Sequence, residues 1–513
     1  MTTSSPAPTP LPPGPQRTML LVTALTVSVM ASVDMTIVSV ALPYMAGNLG
    51  AGPDEITWVL TMFTCGQALV IGVTGHLSRL LGRRRLAIIV VVGFVVSSMA
   101  CGMAQTLTQI VIFRFVQGVF SGPLIPLSQS ILVDAYPEEE RSKALSIWAM
   151  GVLGGPALGP IVGGFLAQDL DWRWNFWVNL PVGAVAIGLI LTFVRPVAAQ
   201  RVRTDLVGLV ILAVWVISLQ VMLDQGDTLD WFGSVETWFL TLLAITFALA
   251  FVLRARVVGD DNIMRLRLFK DRNFLVCSVL VAILGSIFLG SLIVTPRLLI
   301  DTLRWEVDTA GLVMGFSGLF GIMGSLVGGR LVGLLGIRIM LLLGSGSMAV
   351  GWLRYSALNL DAGPVDIFIP GALIMFGLML AFPLLAAQAF QNLRPDERDE
   401  GAGLFNFVKT LGFSFGVTFV SVMIYRGTQA NWAQYVGEIA WSNTGFVQAA
   451  NTAPLSGDLA LASAVVADEL ARQSGILAIT QLAETLAVLA LAVMPLALLL
   501  RSRRSVSRVE VSE

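Results

Sequence analysis

The sequence predicts an all-α membrane protein with about fourteen transmembrane helices. Of its 513 residues, 56% are hydrophobic and only 13% are charged, whereas a soluble domain carries about 25% charged residues. The mean hydropathy is +0.81, and apolar runs long enough to cross a hydrocarbon core of about 30 Å recur along the chain. The net charge of −1 provides no basic field for nucleic acid. These observations exclude a soluble globular protein and a nucleic-acid partner.

The apolar runs fall into two groups of six with a pair between them. Each run holds about 20 residues, the length that a membrane-spanning helix needs. The first group lies at 19–40, 56–77, 86–104, 107–133, 144–167 and 176–194, the pair at 206–223 and 237–253, and the second group at 274–294, 311–335, 340–356, 367–390, 403–425 and 476–500.

This arrangement predicts five parts of the chain. They are a disordered Pro/Ser/Thr-rich tail at 1–17, a six-helix bundle at 18–205, two linker helices at 206–272, a second six-helix bundle at 273–500 that includes an outer loop at 426–475, and a tail at 501–513.

The distribution of basic residues predicts the orientation. An even number of spans places both termini on one side of the membrane. With both termini inside, basic residues on inner segments outnumber those on outer segments by roughly four to one, as the positive-inside rule requires. The long outer loop carries a candidate cap at Asp458 and a candidate stop at Gly475, which predict an interfacial helix over 458–473.

Two loops of the chain share one pattern. Gly, Leu, Leu, Gly and Arg occur within 75–84 and recur 254 positions later within 329–338. Each loop connects the second and third helices of a six-helix group. We therefore expect two parallel halves with a substrate site at their interface, and chance similarity between Gly/Leu/Arg-rich loops is the alternative.

Asp34 and Arg114 are the two charges placed deepest in the first half. An ionised aspartate at the centre of a bilayer costs on the order of 3 kcal/mol. We expect the two side chains to pair directly or through water, and we expect Asp34 to bind and release a proton as its surroundings change. A static ion pair that only holds helices together is the alternative.

Further polar side chains lie at membrane depth in the predicted helices. The candidates for contact with substrate are Gln67, Gln117, Gln129, Asn179 and Asn406. Hydrogen bonding between neighbouring helices is the alternative role for these amides. Lys409 and Glu484 are candidates for a second intramembrane charge site, and extension of Lys409 to the membrane surface is the alternative.

The fifth predicted helix carries a stripe of small residues. Gly155, Gly159 and Gly163 recur every four residues, with Pro156 and Pro160 between them. Small residues let helix backbones approach closely, and each proline removes a backbone donor and favours a bend. The pattern predicts a helix on which one half rocks against the other, and simple close packing is the alternative.

No pattern in the sequence predicts an enzyme, a cofactor or a metal site. Cys65, Cys101 and Cys277 lie far apart in apolar runs and His76 is the single histidine, which argues against a disulfide framework or a zinc site. No GxxxxGK[ST] phosphate loop occurs, so we expect transport to be driven by a gradient and not by ATP hydrolysis at such a loop.

Four segments together resemble the signatures of a known family. They are 34–43 in the first helix, 75–85 in the loop, 114–118 in the fourth helix and 155–164 in the fifth. They resemble the major facilitator superfamily, specifically its fourteen-helix drug:proton antiporter family and the EmrB-type multidrug exporters within it. One departure is that Arg79 occupies a position where the family usually has an acid.

The resemblance implies a fold, a function and partners. The fold would be the major facilitator fold, and the function would be export of hydrophobic or amphipathic, often cationic or weakly acidic, toxic compounds in exchange for protons. Asp34 would be the protonation site and Arg114 its coupling partner, and Gly75, Gly82 and Arg83 would act in the conformational change.

The resemblance also implies a Gram-negative inner membrane, a periplasmic membrane-fusion adaptor and an outer-membrane channel. The outer loop at 426–475 is the candidate contact for the adaptor. Two other functions remain open at this point. One is a dedicated exporter of a single endogenous metabolite or siderophore, and the other is a membrane sensor that does not transport.

Overall fold

The computed structural model describes residues 14–197, 199–200, 203–259, 262–436 and 459–500, and the regular elements within these ranges are all helices. The first part contains α1 (Pro15–Ile37), α2 (Leu42–Leu49), α3 (Pro53–Ile56), α4 (Trp58–Ile71), α5 (Thr74–Leu81), α6 (Arg83–Gly102), α7 (Leu107–Ser121), α8 (Leu124–Ala135), α9 (Glu138–Asp169), α10 (Trp174–Trp177) and α11 (Asn179–Phe193).

The remaining helices follow in the same alternating pattern of long helices and short connections. They are α12 (Leu206–Gln225), α13 (Val235–Val258), α14 (Arg272–Pro296), α15 (Val307–Tyr355), α16 (Pro364–Ala389), α17 (Arg398–Val436) and α18 (Leu459–Leu498). Short 3₁₀ segments lie at Ser39–Ala41, Trp231–Gly233, Leu266–Lys270 and Pro395–Glu397, and a π-helical segment at Arg297–Thr302 extends α14.

The helices have the length and composition of membrane spans. Among the described residues, 11 helical segments are long and apolar enough to cross a membrane, and the pair α4 and α5, bent by 60°, would make a twelfth. Each of the fourteen predicted runs overlaps one or more of these helices, and two runs share α15. The all-helical membrane fold is therefore confirmed, while the count of fourteen stays a prediction that is consistent with these helices.

One long helix contains two of the predicted runs. α15 has 49 residues, which corresponds to a length of about 74 Å, more than twice the thickness of a hydrocarbon core. Its helical geometry is interrupted at Gly336, where φ is 78° and ψ is 157°. The runs 311–335 and 340–356 lie on either side of this break, so the segment has the length for two crossings.

The interfacial helix predicted for the outer loop is wrong in one respect. Residues 459–475 belong to α18, which runs without interruption through the predicted stop at Gly475. Packing against α17 outweighs the low helix propensity of glycine: Asn431 Nδ2 donates to the carbonyl oxygen of Ser474 at 3.3 Å. The predicted cap, Asp458, lies outside the described residues.

The two repeated loops have the same backbone conformation. Gly82 has φ 82° and Gly336 has φ 78°, a region that favours glycine. A Cβ atom on Gly75 would lie 2.3 Å from Glu400 Cα, and one on Gly329 would lie 3.0 Å from Ser146 Oγ. Each loop therefore packs against a helix of the opposite predicted half, which supports a repeat over chance similarity.

The arginines of the repeat make equivalent contacts. Arg84 donates to the carbonyl oxygen of Leu191, near the end of α11. Arg338, at the matching position, donates through Nε to the carbonyl oxygen of Leu500 at 2.8 Å, just beyond α18. In each half an arginine thus donates a hydrogen bond to a carbonyl oxygen at the end of that half's last helix. Carbonyl groups at this position lack partners within the helix.

The two helices between the predicted halves pack against each other, and α13 presents mainly apolar side chains outward. Asp205 caps α12 by accepting from Gly208 N at 3.0 Å. Arg254 of α13 donates to the same carboxylate at 2.6 Å, and this hydrogen bond lowers the pKa of Asp205. The exposed side chains of α13 include Trp238 and Leu242, as expected for a surface that faces lipid.

Candidate functional site

Asp34 and Arg114 form an ion pair inside the first half of the chain. Asp34 lies on α1 and Arg114 on α7, and Arg114 Nη1 is 2.9 Å from Asp34 Oδ2. Both side chains are fully buried, so neither faces lipid. Arg114 Nε donates to the carbonyl oxygen of Val59 at 3.3 Å, and its Cζ lies 4.0 Å from the centre of the Phe63 ring. Loss of either partner would leave a buried charge without compensation.

Two amide side chains complete the surroundings of the Asp34 carboxylate. Gln117 Nε2 donates to Asp34 Oδ1 at 3.0 Å and Asn179 Nδ2 donates to the same oxygen at 2.8 Å. Gln117 Oε1 accepts from Arg114 Nη1 at 2.8 Å, and Asn179 also donates to Ser98 Oγ at 3.0 Å. The structure brings both amides to Asp34 as groups that orient the carboxylate, and their contact with substrate stays a prediction.

This arrangement supplies three hydrogen-bond donors to the Asp34 carboxylate. An ionised carboxylate accepts hydrogen bonds only, whereas a protonated one carries an O–H donor. Asp34 accepts from Arg114, Gln117 and Asn179 at the same time. A proton on Asp34 would remove its charge and displace at least one of these donors, which come from α7 and α11.

The glycine stripe of α9 lies directly against α1. A Cβ atom on Gly155 would be 2.2 Å from Ser32 Oγ, and one on Gly159 would be 2.1 Å from Thr36 Oγ1. The two contacts, at Ser32 and Thr36, therefore lie on either side of Asp34 along α1. Gly163 continues it, since its Cβ would lie 2.3 Å from the carbonyl oxygen of Ile37. The side chains of Pro156 and Pro160 lie outside the described part of the structure.

A second group of charges, which we call the charged end, joins the two predicted halves. It consists of Arg79, Arg83, Asp134, Arg265, Arg398, Asp399 and Glu400. Arg83 Nη1 lies 2.5 Å from Asp134 Oδ2 at the end of α8, and its Nη2 lies 2.6 Å from Asp399 Oδ1 on α17. Arg398 also reaches Asp134, at 2.5 Å. One guanidinium thus bridges carboxylates from both halves.

Arg79 belongs to the charged end as a partner of Glu400. The two side chains form an ion pair, and Arg265 Nε lies 3.0 Å from the other oxygen of Glu400. In this pair the base lies on α5 and the acid on α17. Gly75 makes room for the backbone of Glu400.

Lys409 forms a third polar group, between α8 and α17. Its Nζ donates to Asn406 Oδ1 at 2.7 Å, and Asn406 Nδ2 donates to Gln129 Oε1 at 2.6 Å. All three side chains are buried, with Lys409 only 4% exposed. The structure therefore brings together three residues that the sequence nominated separately, and Lys409 does not extend to the surface.

A chain of hydrogen bonds links the first linker helix to both halves. Asp224, at the end of α12, accepts from Thr64 Oγ1 at 3.0 Å and from Gln220 Nε2 at 2.8 Å. Gln220 Oε1 accepts in turn from Ser414 Oγ on α17 at 2.9 Å. Nothing in the spacing of Asp224 within the sequence indicated this contact with α4.

Comparison with known proteins assigns the chain to a family. The family model described as Major Facilitator Superfamily matches residues 24–417. The chain belongs to this superfamily. It is 33% identical over 417 residues to the multidrug export protein EmrB of Escherichia coli K12, covering 80% of each chain, and 34% identical over 413 residues to EmrB of Haemophilus influenzae, covering 80% of this chain and 81% of the relative.

A solved structure supports the same fold for this superfamily member. The crystal structure of the human organic anion transporter MFSD10 superimposes with a TM-score of 0.60, at 14% identity, over 94% of this chain and all of that one. The recognition of the major facilitator superfamily with EmrB-type relatives is confirmed. The chain is accordingly a multi-pass membrane protein of a transporter family.

The structure leaves two nominated residues of this superfamily member apart from the other groups. Gln67 Nε2 donates to Ser121 Oγ at 3.2 Å and so connects α4 with α7. Glu484 lies on an exposed face of α18, whereas Lys409 is buried between α8 and α17. The role of Glu484 as an intramembrane charge site stays a prediction.

The acids of the charged end escaped the sequence reasoning. Asp134 lies at the end of α8 and Asp399 and Glu400 at the start of α17, whereas the predicted orientation rested on the basic residues alone. A signal for them exists: the segment 394–400 alternates acids and arginines immediately before a long apolar run. Such a segment places both signs of charge at one end of a spanning helix, where an opposing loop can pair with them.

Proposed function

We propose that this protein exports hydrophobic and amphipathic toxic compounds in exchange for protons, by alternating access between the bundles 18–205 and 273–500. The observation that carries the proposal is the buried Asp34 carboxylate, which is held by donors from two other helices. The similarity to proteins named multidrug export protein supports the class of substrate.

Proton binding at Asp34 supplies the coupling step. The added proton neutralises the carboxylate and weakens its attachment to Arg114 on α7 and Asn179 on α11. Because the glycine stripe of α9 presents no side chains of its own to α1, α1 can slide along that stripe when the attachment weakens. Release of the proton restores the charge and the original contacts.

The charged end supplies the gate. In this structure ion pairs from Arg79 and Arg83 to acids of α17 hold the two bundles together at this end. Opening here requires those pairs to separate and to regain water. The pairs are side-by-side guanidinium and carboxylate groups at an interface, so they can break and reform without any change in covalent structure.

The charged end faces the cytoplasm, as do both termini, in agreement with the positive-inside rule. The opposite side carries the extensions of α17 and α18, whose residues 426–436 and 459–475 make up part of the predicted outer loop at 426–475. This loop is the contact for a periplasmic adaptor that joins the protein to an outer-membrane channel in a Gram-negative inner membrane.

Replacement of Asp34 tests the proposal. In proteoliposomes with an imposed pH gradient, Asp34→Asn is expected to reduce dye efflux to the level of empty liposomes, because the amide cannot carry the proton. The matched control is Glu236→Gln, an exposed acid at the start of α13, which should export at the wild-type rate. Full pH-driven efflux by Asp34→Asn would refute the assignment of the proton site.

A competition experiment tests the breadth of substrates. Chemically unrelated dyes are expected to compete for efflux by the wild-type protein, since an apolar cavity with few polar groups accepts many shapes. If a single class of compound competes, the protein is a dedicated exporter.

A further inference from the structure

Asn175 of α10 is a buried amide whose polar atoms have no protein partner. The residue is fully buried, and within the described part of the chain neither its Nδ2 nor its Oδ1 has a hydrogen-bond partner. Burial of an amide without a hydrogen bond is costly, and ordered water satisfies buried polar groups that lack a protein partner. We propose that Asn175 holds water that conducts protons from the outer side of the membrane to Asp34.

Other donors around Asn175 share this feature. The indole Nε1 atoms of Trp172 and Trp177 are buried and, among the described residues, have no hydrogen-bond partner. The same is true of Arg114 Nη2, and Arg114 Cζ lies 5.8 Å from the centre of the Phe176 ring, next to Asn175 in the chain. A buried water needs two to four polar partners, and the segment 172–177 supplies several.

Asn175 lies one helical turn outside a partner of Asp34. Asn179 follows four residues later, and Val178, between α10 and α11, keeps helical angles (φ −59°, ψ −23°). The two asparagines therefore share a face, about 6 Å apart along the axis. Asn179 Nδ2 donates to Asp34 Oδ1 at 2.8 Å and to Ser98 Oγ at 3.0 Å. Polar groups thus continue from Asn175 to the Asp34 carboxylate.

A second row of polar groups reaches Asp34 from the same segment. Trp177 Nε1 lies so close to Gly102 of α6 that a Cβ atom there would overlap it. The preceding residue, Cys101, donates through Sγ to Gln117 Oε1 at 3.5 Å. Gln117 Nε2 in turn donates to Asp34 Oδ1 at 3.0 Å. The unpartnered groups therefore border the Asp34 site on the side of α6 as well as on the side of α11.

The closed charged end gives this path its direction. Ion pairs hold the bundles together at that end, so in the proposed exchange Asp34 takes its proton from the outer side in this conformation. Asp34 is only 1% exposed, and bulk water does not reach it directly. The connection 170–173, which lies on the outer side in the predicted orientation, is two residues from Asn175. The inference rests on the proposed function and names the residue that positions its proton supply.

The proton moves by exchange of O–H bonds. A hydronium ion on the outer side gives up one proton and becomes water. Each water along the path accepts one proton and releases another, and the last transfer forms the O–H bond on the Asp34 carboxylate. Asn175 is a positioning residue, because its amide donates to and accepts from water and does not itself take the proton.

Radiolytic footprinting tests for the water. A brief X-ray pulse converts bound water into hydroxyl radicals, which oxidise adjacent side chains, and mass spectrometry locates the products. In the full-length protein in nanodiscs, Trp172 and Phe176 should be oxidised although both are buried. Phe251, equally buried within an apolar cluster, should stay unmodified. Most of the oxidation at Trp172 and Phe176 should be lost in Asn175→Leu, which removes the polar atoms.

Two further variants separate hydration from packing. Asn175→Ser keeps a hydroxyl that donates and accepts and leaves room for water, so oxidation of Trp172 and Phe176 should persist. Asn48→Leu, at an exposed asparagine of α2, is the matched control and should behave as the wild type.

Transport of ethidium in proteoliposomes tests the role in proton supply. Asn175→Leu should slow pH-driven efflux by about tenfold or more, while Asn175→Ser and Asn48→Leu stay within about threefold of wild type. Exchange of labelled for unlabelled ethidium moves no net proton, so Asn175→Leu should preserve it, which also shows that the variant is folded. A lower pH on the side that supplies protons should accelerate efflux by Asn175→Leu more than efflux by the wild type.

The proposal fails if Trp172 and Phe176 are not oxidised in the wild type, or if they are oxidised equally in Asn175→Leu. It also fails if Asn175→Leu leaves pH-driven efflux unchanged or slows efflux and exchange equally. Oxidation that depends on Asn175, in a wild type without pH-driven efflux of any dye, would support the water site and refute the export function. The two failures can therefore be told apart.

Discussion

At the scale of residues, the ion pair of Asp34 and Arg114 combines burial with a defined set of partners. Asp34 could be matched to Arg114 from sequence, because each is the only charge of its sign deep in the first half. The role of Asn179 as a partner of Asp34 could not be predicted from the sequence, because the number of residues between them does not determine how α11 packs against α1. The hydrogen bond between them exists only in the folded chain.

The pair of Arg79 and Glu400 is expected to act as a unit. Loss of one partner leaves the other buried and uncompensated, whereas loss of both removes that penalty. Efflux rates of wild type, Arg79→Gln, Glu400→Gln and the double variant should therefore give a coupling energy of at least about 0.5 kcal/mol.

The partly exposed pair of Arg173 and Asp171 provides the control cycle, for which no coupling is expected. Strictly additive effects of Arg79→Gln and Glu400→Gln would show that their ion pair does not contribute to the transport cycle.

At the scale of elements, the spacing of glycines in α9 indicated a smooth face but not the helix that uses it. The structure places α1 on that face, so the stripe positions the helix that carries Asp34. Gly154 neighbours the stripe in sequence but points elsewhere, because a Cβ atom there would meet nothing within 4 Å.

The stripe predicts opposite effects for two alanine substitutions. Gly159→Ala would press its Cβ against Thr36 Oγ1 and should destabilise the protein by about 1–3 kcal/mol, as overpacking does. Gly154→Ala should be neutral or stabilising by up to about 1 kcal/mol, since alanine favours the helix. Thermal unfolding of the purified variants in detergent measures both changes. Equal melting temperatures for the two variants would contradict close packing at Gly159.

At the scale of the whole molecule, the repeated loops form reciprocal contacts between the halves. Gly75 of the first half meets α17, and Gly329 of the second half meets α9 at Ser146. This reciprocity makes the end of the molecule near these loops symmetric. The same contacts, together with the ion pairs of the charged end, close this end of the molecule.

A disulfide across the second of these contacts should block transport. A Cβ atom on Gly329 would lie 3.4 Å from Ser146 Cβ, close to the separation of about 3.5–4.5 Å found in disulfides. Oxidation of the double variant Ser146→Cys and Gly329→Cys is expected to abolish efflux, and reduction should restore it. The single variants control for pairing with the native cysteines. Undiminished efflux by the fully cross-linked protein would show that α9 and α15 need not separate at this contact.

The sequence alone determined the solvent in which this chain folds, its helical class, its internal repeat and its family, while its two groups of six spans stay a prediction. These follow from local properties. The length of an apolar run predicts a membrane span, and a charge isolated within such a run can be recognised from the sequence. The tertiary structure decided which helix faces each of these features. It placed Asn179 at Asp34, Glu400 at Arg79 and Gln129 beside Asn406 and Lys409, because contacts between distant segments depend on how the helices pack and not on the spacing within any one of them.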